Sequence, residues 1–283
     1  MWNKNVETFI GCEADFEQAN TVLLGAPFDC TTSNKPGARF APAAIRKESW
    51  GLEVYSPYQD KELTDFPVFD GGDLELPFGD PKDALSMIET QTKEILTGKK
   101  RPFLIGGEHL VSLGAIKAVA EQYPDLHVIH FDAHADLRED YLGQNFSHAT
   151  VMRRVWDILG DGKIFQFGIR SGDKEEFTWA KEHVTMQKFN FTGLEESIKQ
   201  LKDKPVYLSI DLDILDPSAF PGTGTPEAGG VSFMKLLNAT LAICKHNNVV
   251  GCDVVELAPN YDPSGVSTAT ACKLIREMLI ALG

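Results

Sequence analysis

The chain has 283 residues, enough to bury one large core, and its 43% hydrophobic and 24% charged residues are ordinary for a globular protein. Its net charge of −14 argues against a nucleic-acid partner and is compatible with cationic ligands. Five cysteines without C-x-x-C spacing point to free thiols in a reducing compartment, and no apolar run approaches the roughly 20 residues of a membrane span.

Residues 1–20 carry acidic side chains and no apolar stretch of the kind a secretory signal needs, so a cytoplasmic protein without a membrane partner is expected. Residues 21–25 read as a buried strand ended by Ala26-Pro27. The polar stretch 29–39 is a βα loop long enough to line a pocket, and Pro42 opens a helix through Ile45. Residues 66–69 read as a strand closed by Gly71-Gly72, and 81–98 as an amphipathic helix. A strand at 102–105 leaves through Gly106-Gly107-Glu108-His109 into a helix at 110–123. Further strands are expected at 126–129, 163–168, 185–189, 206–210 and 249–255. Helices are expected at 148–159, 173–183, 194–202, 232–245 and 266–282, with a proline- and glycine-rich loop at 216–230. Such alternation gives an α/β protein with a parallel sheet, read as a single domain over 1–283. Eight strands fit a closed barrel or an open doubly wound sheet; both place function at the carboxyl ends of the strands.

Those ends carry the unusual residues. After 126–129 comes His130-Phe131-Asp132-Ala133-His134-Ala135-Asp136, where Asp132, His134 and Asp136 share one side if the chain stays extended. Two carboxylates and an imidazole at the end of a buried strand are costly unless a cation lies among them. Other strand ends add His109, Asp211 with Asp213, and Asp253-Val254-Val255-Glu256. If they converge, Asp132, Asp136, Asp211 and Asp213 are neutralised by two divalent cations, whereas one cation leaves charge uncompensated. Oxygen-rich ligation with two imidazoles suits manganese best, ahead of iron, cobalt, zinc or magnesium. Each element has a plainer reading: a D-x-D commonly caps a turn. His127 and His130 read as hydrogen-bonded core residues, and His183 and His246 as exposed ones. The run Gly222-Thr223-Gly224-Thr225-Pro226 lacks the G-K-[ST] of a phosphate cradle, so no nucleotide is expected there.

In these clusters the sequence resembles the arginase–agmatinase (ureohydrolase) family. The stretches that carry the resemblance are Gly106 with Gly107-Glu108-His109, Asp132-Ala133-His134-Ala135-Asp136 and Ser209-Ile210-Asp211-Leu212-Asp213. Residues 221–230, 253–259 and 25–46 extend it over nearly the whole chain. The resemblance implies a three-layer αβα sandwich around a parallel eight-stranded sheet, not a barrel. It also implies a two-manganese hydrolase that cleaves guanidino compounds to urea and an amine. On it, His109, Asp132, Asp136 and Asp211 hold one ion, and Asp132, His134, Asp211 and Asp213 the other. Both ions lower the pKa of a shared water, and the resulting hydroxide attacks the guanidinium carbon. Glu256 matches the carboxylate that pairs with the guanidinium, Asp136 is placed to pass the proton to the leaving amine, and His148 matches a proton shuttle or tail contact. Many relatives have Asp where Glu108 stands. The family forms trimers and hexamers, so a homo-oligomer is implied.

The substrate reading is finer. Arginases read the α-carboxylate and α-amine partly through a Ser-Gly-Asn-Leu-His-Gly run, where this chain has Gln144-Asn145-Phe146-Ser147-His148-Ala149. Glu227 resembles agmatinases, and an acid beside the site favours an all-cationic substrate. Agmatine is therefore expected, giving urea and putrescine, with Glu256, Glu227, His148, Arg138 and Asn145 as contacts. Arg138, if it points inward, instead welcomes a carboxylate, as in guanidinobutyrate, the main alternative; formiminoglutamate and arginine rank below. A metal-bound but non-catalytic relative and a two-metal phosphoesterase are the readings from other classes. The first has no use for Glu256, and the second calls for basic residues that these acidic clusters lack.

Overall fold

The structure, a computed structural model, describes residues 7–283; part of the 1–20 segment read above as no secretory signal lies outside them. The main sheet is built from β1 (Thr21–Ala26), β4 (Val68–Asp73), β5 (Arg101–Gly106), β6 (His127–Phe131), β7 (Ile164–Ile169), β8 (Thr185–Lys188), β9 (Pro205–Asp211) and β10 (Asn248–Val255). Its order is β4-β1-β5-β10-β9-β6-β7-β8, and every pairing is parallel. Strands β2 (Tyr55–Ser56) and β3 (Lys61–Glu62) form a separate antiparallel hairpin that the sequence did not announce. Between strands run α1 (Ala41–Ser49), α2 (Pro81–Thr97), α3 (Val111–Gln122), α4 (Val151–Leu159), α5 (Lys174–His183), α6 (Leu194–Gln200) and α7 (Phe233–His246), and α8 (Val266–Leu282) closes the chain.

Two apolar cores, one on each face of the sheet, make the three layers. Strand residues alternate between them: Leu23, Phe103, Ile105, Leu208 and Ile210 pack with α1, α6, α7 and α8. Val22, Leu24, Leu104, Val128 and Tyr207 pack with α2, α3, α4 and α5. A parallel strand buried on both faces must be apolar at nearly every position, which is why these runs were legible as strands. The sandwich is the αβα arrangement the resemblance implied; the barrel is excluded by the open edges at β4 and β8.

The expectation that Gly71-Gly72 closes its strand is corrected, because β4 runs through both glycines to Asp73. Asp70 in this strand meets the buried Arg46 guanidinium at 2.9 Å and accepts from Phe9 N at 2.8 Å, so a polar edge segment is satisfied without turning. His183 is half-buried, not exposed, stacked on Trp179 with its Nδ1 2.6 Å from Asp161. All five cysteines are free. Among the described residues no helix is long and apolar enough to cross a membrane.

Candidate metal centre

Four neighbouring strands deliver the candidate residues from their carboxyl ends: β5 leads to His109, β10 to Glu256, β9 to Asp211 and Asp213, and β6 to Asp132, His134 and Asp136. The segment after β6 does not continue as strand, the condition on which its alternation would have put Asp132, His134 and Asp136 on one side. The strand stops at Phe131, His134 makes only an isolated bridge with Ser171, and Asp136 adopts φ of 53°. Ala133 and Ala135 stay fully buried while the bend turns the polar groups onto their partners. His109 Nδ1 lies 3.0 Å from Asp132 Oδ2, 3.4 Å from Asp136 Oδ2 and 3.3 Å from Asp211 Oδ2. His134 Nδ1 lies 3.0 Å from Asp213 Oδ2 and 3.5 Å from Asp132 Oδ1. Asp211 also accepts from Asp213 N at 2.8 Å, so this D-x-D caps a short turn and aims two carboxylates at once.

These residues fit a cation on their own chemistry. Ser209 Oγ donates to Asp253 Oδ1 at 2.8 Å and therefore accepts from His109 Nε2–H at 2.9 Å. With the ring proton on Nε2, the Nδ1 lone pair faces three carboxylate oxygens and has no hydrogen-bond partner. That arrangement is repulsive unless positive charge lies between them. Donor atoms of His109, His130, Asp132 and Asp136 lie within 4.8 Å of one another, as do those of Asp132, His134 and Asp213. Asp132 belongs to both groups. Burial, and then the Asp132 charge, push the Asp136 carboxyl well above the usual range; burial and Asp213 do the same to Asp211. Groups held this way take up either protons or a metal.

Glu256 adopts φ of 64°, and its Oε1 accepts from His109 N at 2.8 Å. Burial and the neighbouring Glu108 charge push its carboxyl up to about 8. Glu108 itself is fully buried and clamps the 29–33 loop, accepting from Thr31 N, Thr31 Oγ1 and Thr32 Oγ1. That loop in turn holds His148: Thr31 Oγ1 accepts from His148 N at 3.0 Å, and Ser33 Oγ lies 3.0 Å from His148 Nε2. Burial lowers His148 to about 4, so the ring is neutral at physiological pH.

A cavity of about 160 Å³ opens on Asp136, His134 and His148, with Arg138, Glu176 and Thr225 among its other walls. Arg138 is not free to greet a substrate: its guanidinium pairs with Asp173 at 3.0 Å and Glu176 at 3.6 Å and lies over the Tyr141 ring. Glu176 is fixed in turn by a capping box with Asp173 at the start of α5. Glu227 stands beside the cavity, its carboxylate accepting from Ser171 Oγ at 2.9 Å. Asn145 is the candidate the fold sets apart; it is exposed on a neighbouring hollow with Leu142 and Lys82, not in the cavity.

Residues 19–281 match the description "Arginase family". The chain belongs to the arginase family. Its sequence is 50% identical to an agmatinase of Bacillus anthracis over 97% of this chain and 96% of that one. An agmatinase of Bacillus subtilis is 48% identical over the same shares. The crystal structure of agmatine ureohydrolase of Thermoplasma volcanium superposes with a TM-score of 0.89 at 31% identity, over 98% of this chain and 94% of that one. As an arginase-family member the chain is an enzyme of the ureohydrolase class.

Sequence reasoning missed several groups around this family site. His130 is the hydrogen-bonded core residue expected, but the sequence did not show that its partner is Asp132. Gln166 gave one signal, an amide in the middle of the apolar run Ile164–Ile169. Arg170 gave none, although it donates to the carbonyls of Asp213 and Glu227 and so ties the end of β9 to the 216–230 loop.

Proposed function

We propose that this protein is an agmatinase, hydrolysing agmatine to urea and putrescine at a centre for two manganese ions. The observation that carries the reading is the buried Glu256 carboxylate beside the cluster of His109, Asp132, His134, Asp136, Asp211 and Asp213. His109, Asp132, Asp136 and Asp211 would hold one ion, and Asp132, His134, Asp211 and Asp213 the other. Divalent cations bound there supply a nucleophilic water at neutral pH.

The chain's own residues do the rest. Glu256 binds the guanidinium; crowded by Glu108 and cut off from water, it gains most from a cation that restores its charge. Because His109 N fixes one of its oxygens, the guanidinium plane is set before reaction, which is the entropic part of the rate. Asp136 accepts a proton from the attacking water and delivers it to the departing nitrogen as the C–N bond breaks. His148, neutral and pinned by Thr31 and Ser33, can take up or relay that proton at the mouth. At the tail end, Asp173, Glu176 and Glu227 outnumber Arg138, whose charge the first two already balance. This supports a cationic tail over a carboxylate, and so agmatine over guanidinobutyrate or arginine. We take the enzyme to act as one domain in a cytoplasmic homo-oligomer.

Urea release from a panel of agmatine, guanidinobutyrate, arginine and formiminoglutamate, with and without manganese, tests the proposal. Agmatine with manganese should have the highest kcat/KM, by at least about tenfold, a gap worth ~1.4 kcal/mol of differential binding. Turnover led by guanidinobutyrate would mean that Arg138 is released from Asp173 and Glu176 in solution and reads the tail; no urea from any guanidine would remove the ureohydrolase chemistry.

A further inference from the structure

We propose that His130 is a positioning residue: a neutral Nε2–H donor that fixes the carboxylate of Asp132, the residue common to both donor groups. The inference rests on the metal-centre reading given above. The ring's tautomer follows from Gln166, its register partner on the adjacent strand β7. The Gln166 amide nitrogen donates to the Ala135 carbonyl at 2.7 Å and lies 3.0 Å from His130 Nδ1. A carbonyl can only accept, so the amide must present its nitrogen to Ala135, and that nitrogen's second hydrogen then meets Nδ1. Nδ1 is therefore an acceptor, and the ring proton sits on Nε2, 2.8 Å from Asp132 Oδ2.

The other Asp132 oxygen, Oδ1, accepts from His134 N at 2.5 Å. Each oxygen thus carries one N–H donor, and the remaining lone pairs point toward His109 on one side and His134 on the other. His130 lies within ligand distance of the first donor group, but its Nε2 is protonated and its Nδ1 is engaged, so it acts on the metal only through Asp132. The presence of Gln166 is the independent sign. It is fully buried in β7 with its Oε1 unpartnered, an arrangement that costs stability in an apolar strand, and orienting His130 and Ala135 is what its amide does there.

Manganese affinity of the full chain, measured by competition with a chromogenic chelator, tests this without relying on turnover. His130→Phe keeps the ring's bulk and removes the donor, and should weaken manganese binding by roughly 10–100-fold, the usual effect of losing an outer partner of a ligand. His130→Gln, whose amide N–H reaches about as far as Nε2–H, should stay within about threefold of the parent protein. Gln166→Met leaves the ring in place but free to reverse its tautomer, and should fall between these two; it keeps the test decisive if His130→Phe does not fold. Parent-like affinity in His130→Phe, or in Gln166→Met where His130→Phe does not fold, overturns the proposal, as do equal losses in His130→Phe and His130→Gln. A parent protein that binds no manganese overturns the metal-centre reading and takes this proposal with it, a result distinct from the other two.

Discussion

The backbone at Asp136 and Glu256 sits in the left-handed region, φ 53° and 64°, where a side-chain-bearing residue costs about 1–3 kcal/mol. Among the described residues, two of the six non-glycine residues with positive φ are thus the two carboxylates assigned to proton transfer and guanidinium binding. The contact that holds the Glu256 side chain is His109 N to Oε1. Glu256→Gln keeps an acceptor for that N–H and removes only the charge. Metal content should therefore be unchanged while kcat/KM on agmatine falls by about 10² or more, the loss expected for a positioning and electrostatic group. Parent-level kcat/KM with intact metal content would show that the guanidinium binds elsewhere. At this scale the residue types were legible and their partners were not. His109, Asp132 and Asp211 betray themselves because charge at a buried strand end needs explaining. Arg138 could not be read from sequence, since its neutralisation depends on Asp173 and Glu176 arriving from the turn after β7.

Elements set the distance between the candidate metal ligands and the loop over them. The Gly106-Gly107 turn lies directly beneath Phe28, whose carbonyl accepts from Glu108 N at 2.7 Å. A Cβ on Gly107 would come within 1.9 Å of that oxygen, so only glycine allows the two backbones to meet. Gly107→Ala should lower stability by about 1–3 kcal/mol, the range for overpacking a close contact. It should also lower kcat on agmatine, because the displaced loop carries Thr31 and Ser33 away from His148. Gly162→Ala is the reference: its φ of 70° costs roughly 1 kcal/mol on substitution but nothing lies within 4 Å of the new Cβ. Urea-denaturation midpoints that fall equally for the two variants would show that the Gly107–Phe28 approach is not what fixes the loop. The eight strands were legible because two-sided burial forces apolar runs. β4 was misjudged because Asp70-Gly71-Gly72-Asp73 has turn chemistry, and the partners that satisfy it as a strand, Arg46 on α1 and Phe9 N, come from elsewhere in the chain.

For the whole molecule, the sheet order is what converts four separated sequence motifs into one centre. β5, β10, β9 and β6 lie side by side out of chain order, so carboxylates from residues 132 to 256 meet at one crevice. Periodicity could place the strands of the main sheet but not order them; the family resemblance set the barrel aside, and the open edges at β4 and β8 exclude it. The convergence makes the fold and the metal interdependent. Asp132, Asp136, Asp211 and Asp213 are all at most 6% exposed, on a chain of net charge −14, and no lysine or arginine is paired with any of them among the described ion pairs. Cations that bind only the folded chain stabilise it by mass action, about 2.7 kcal/mol at 100 times Kd for one site. For a domain of this size each kcal/mol moves Tm by roughly 2–4 °C, so chelation should lower Tm by on the order of 5–10 °C or more. Manganese should restore it, and calcium, which prefers all-oxygen ligation, should restore it less. Should chelation strip the metal, as judged by elemental analysis, and leave Tm where it was, the buried carboxylates must be compensated by protons alone, and the two-ion account of this crevice would fail.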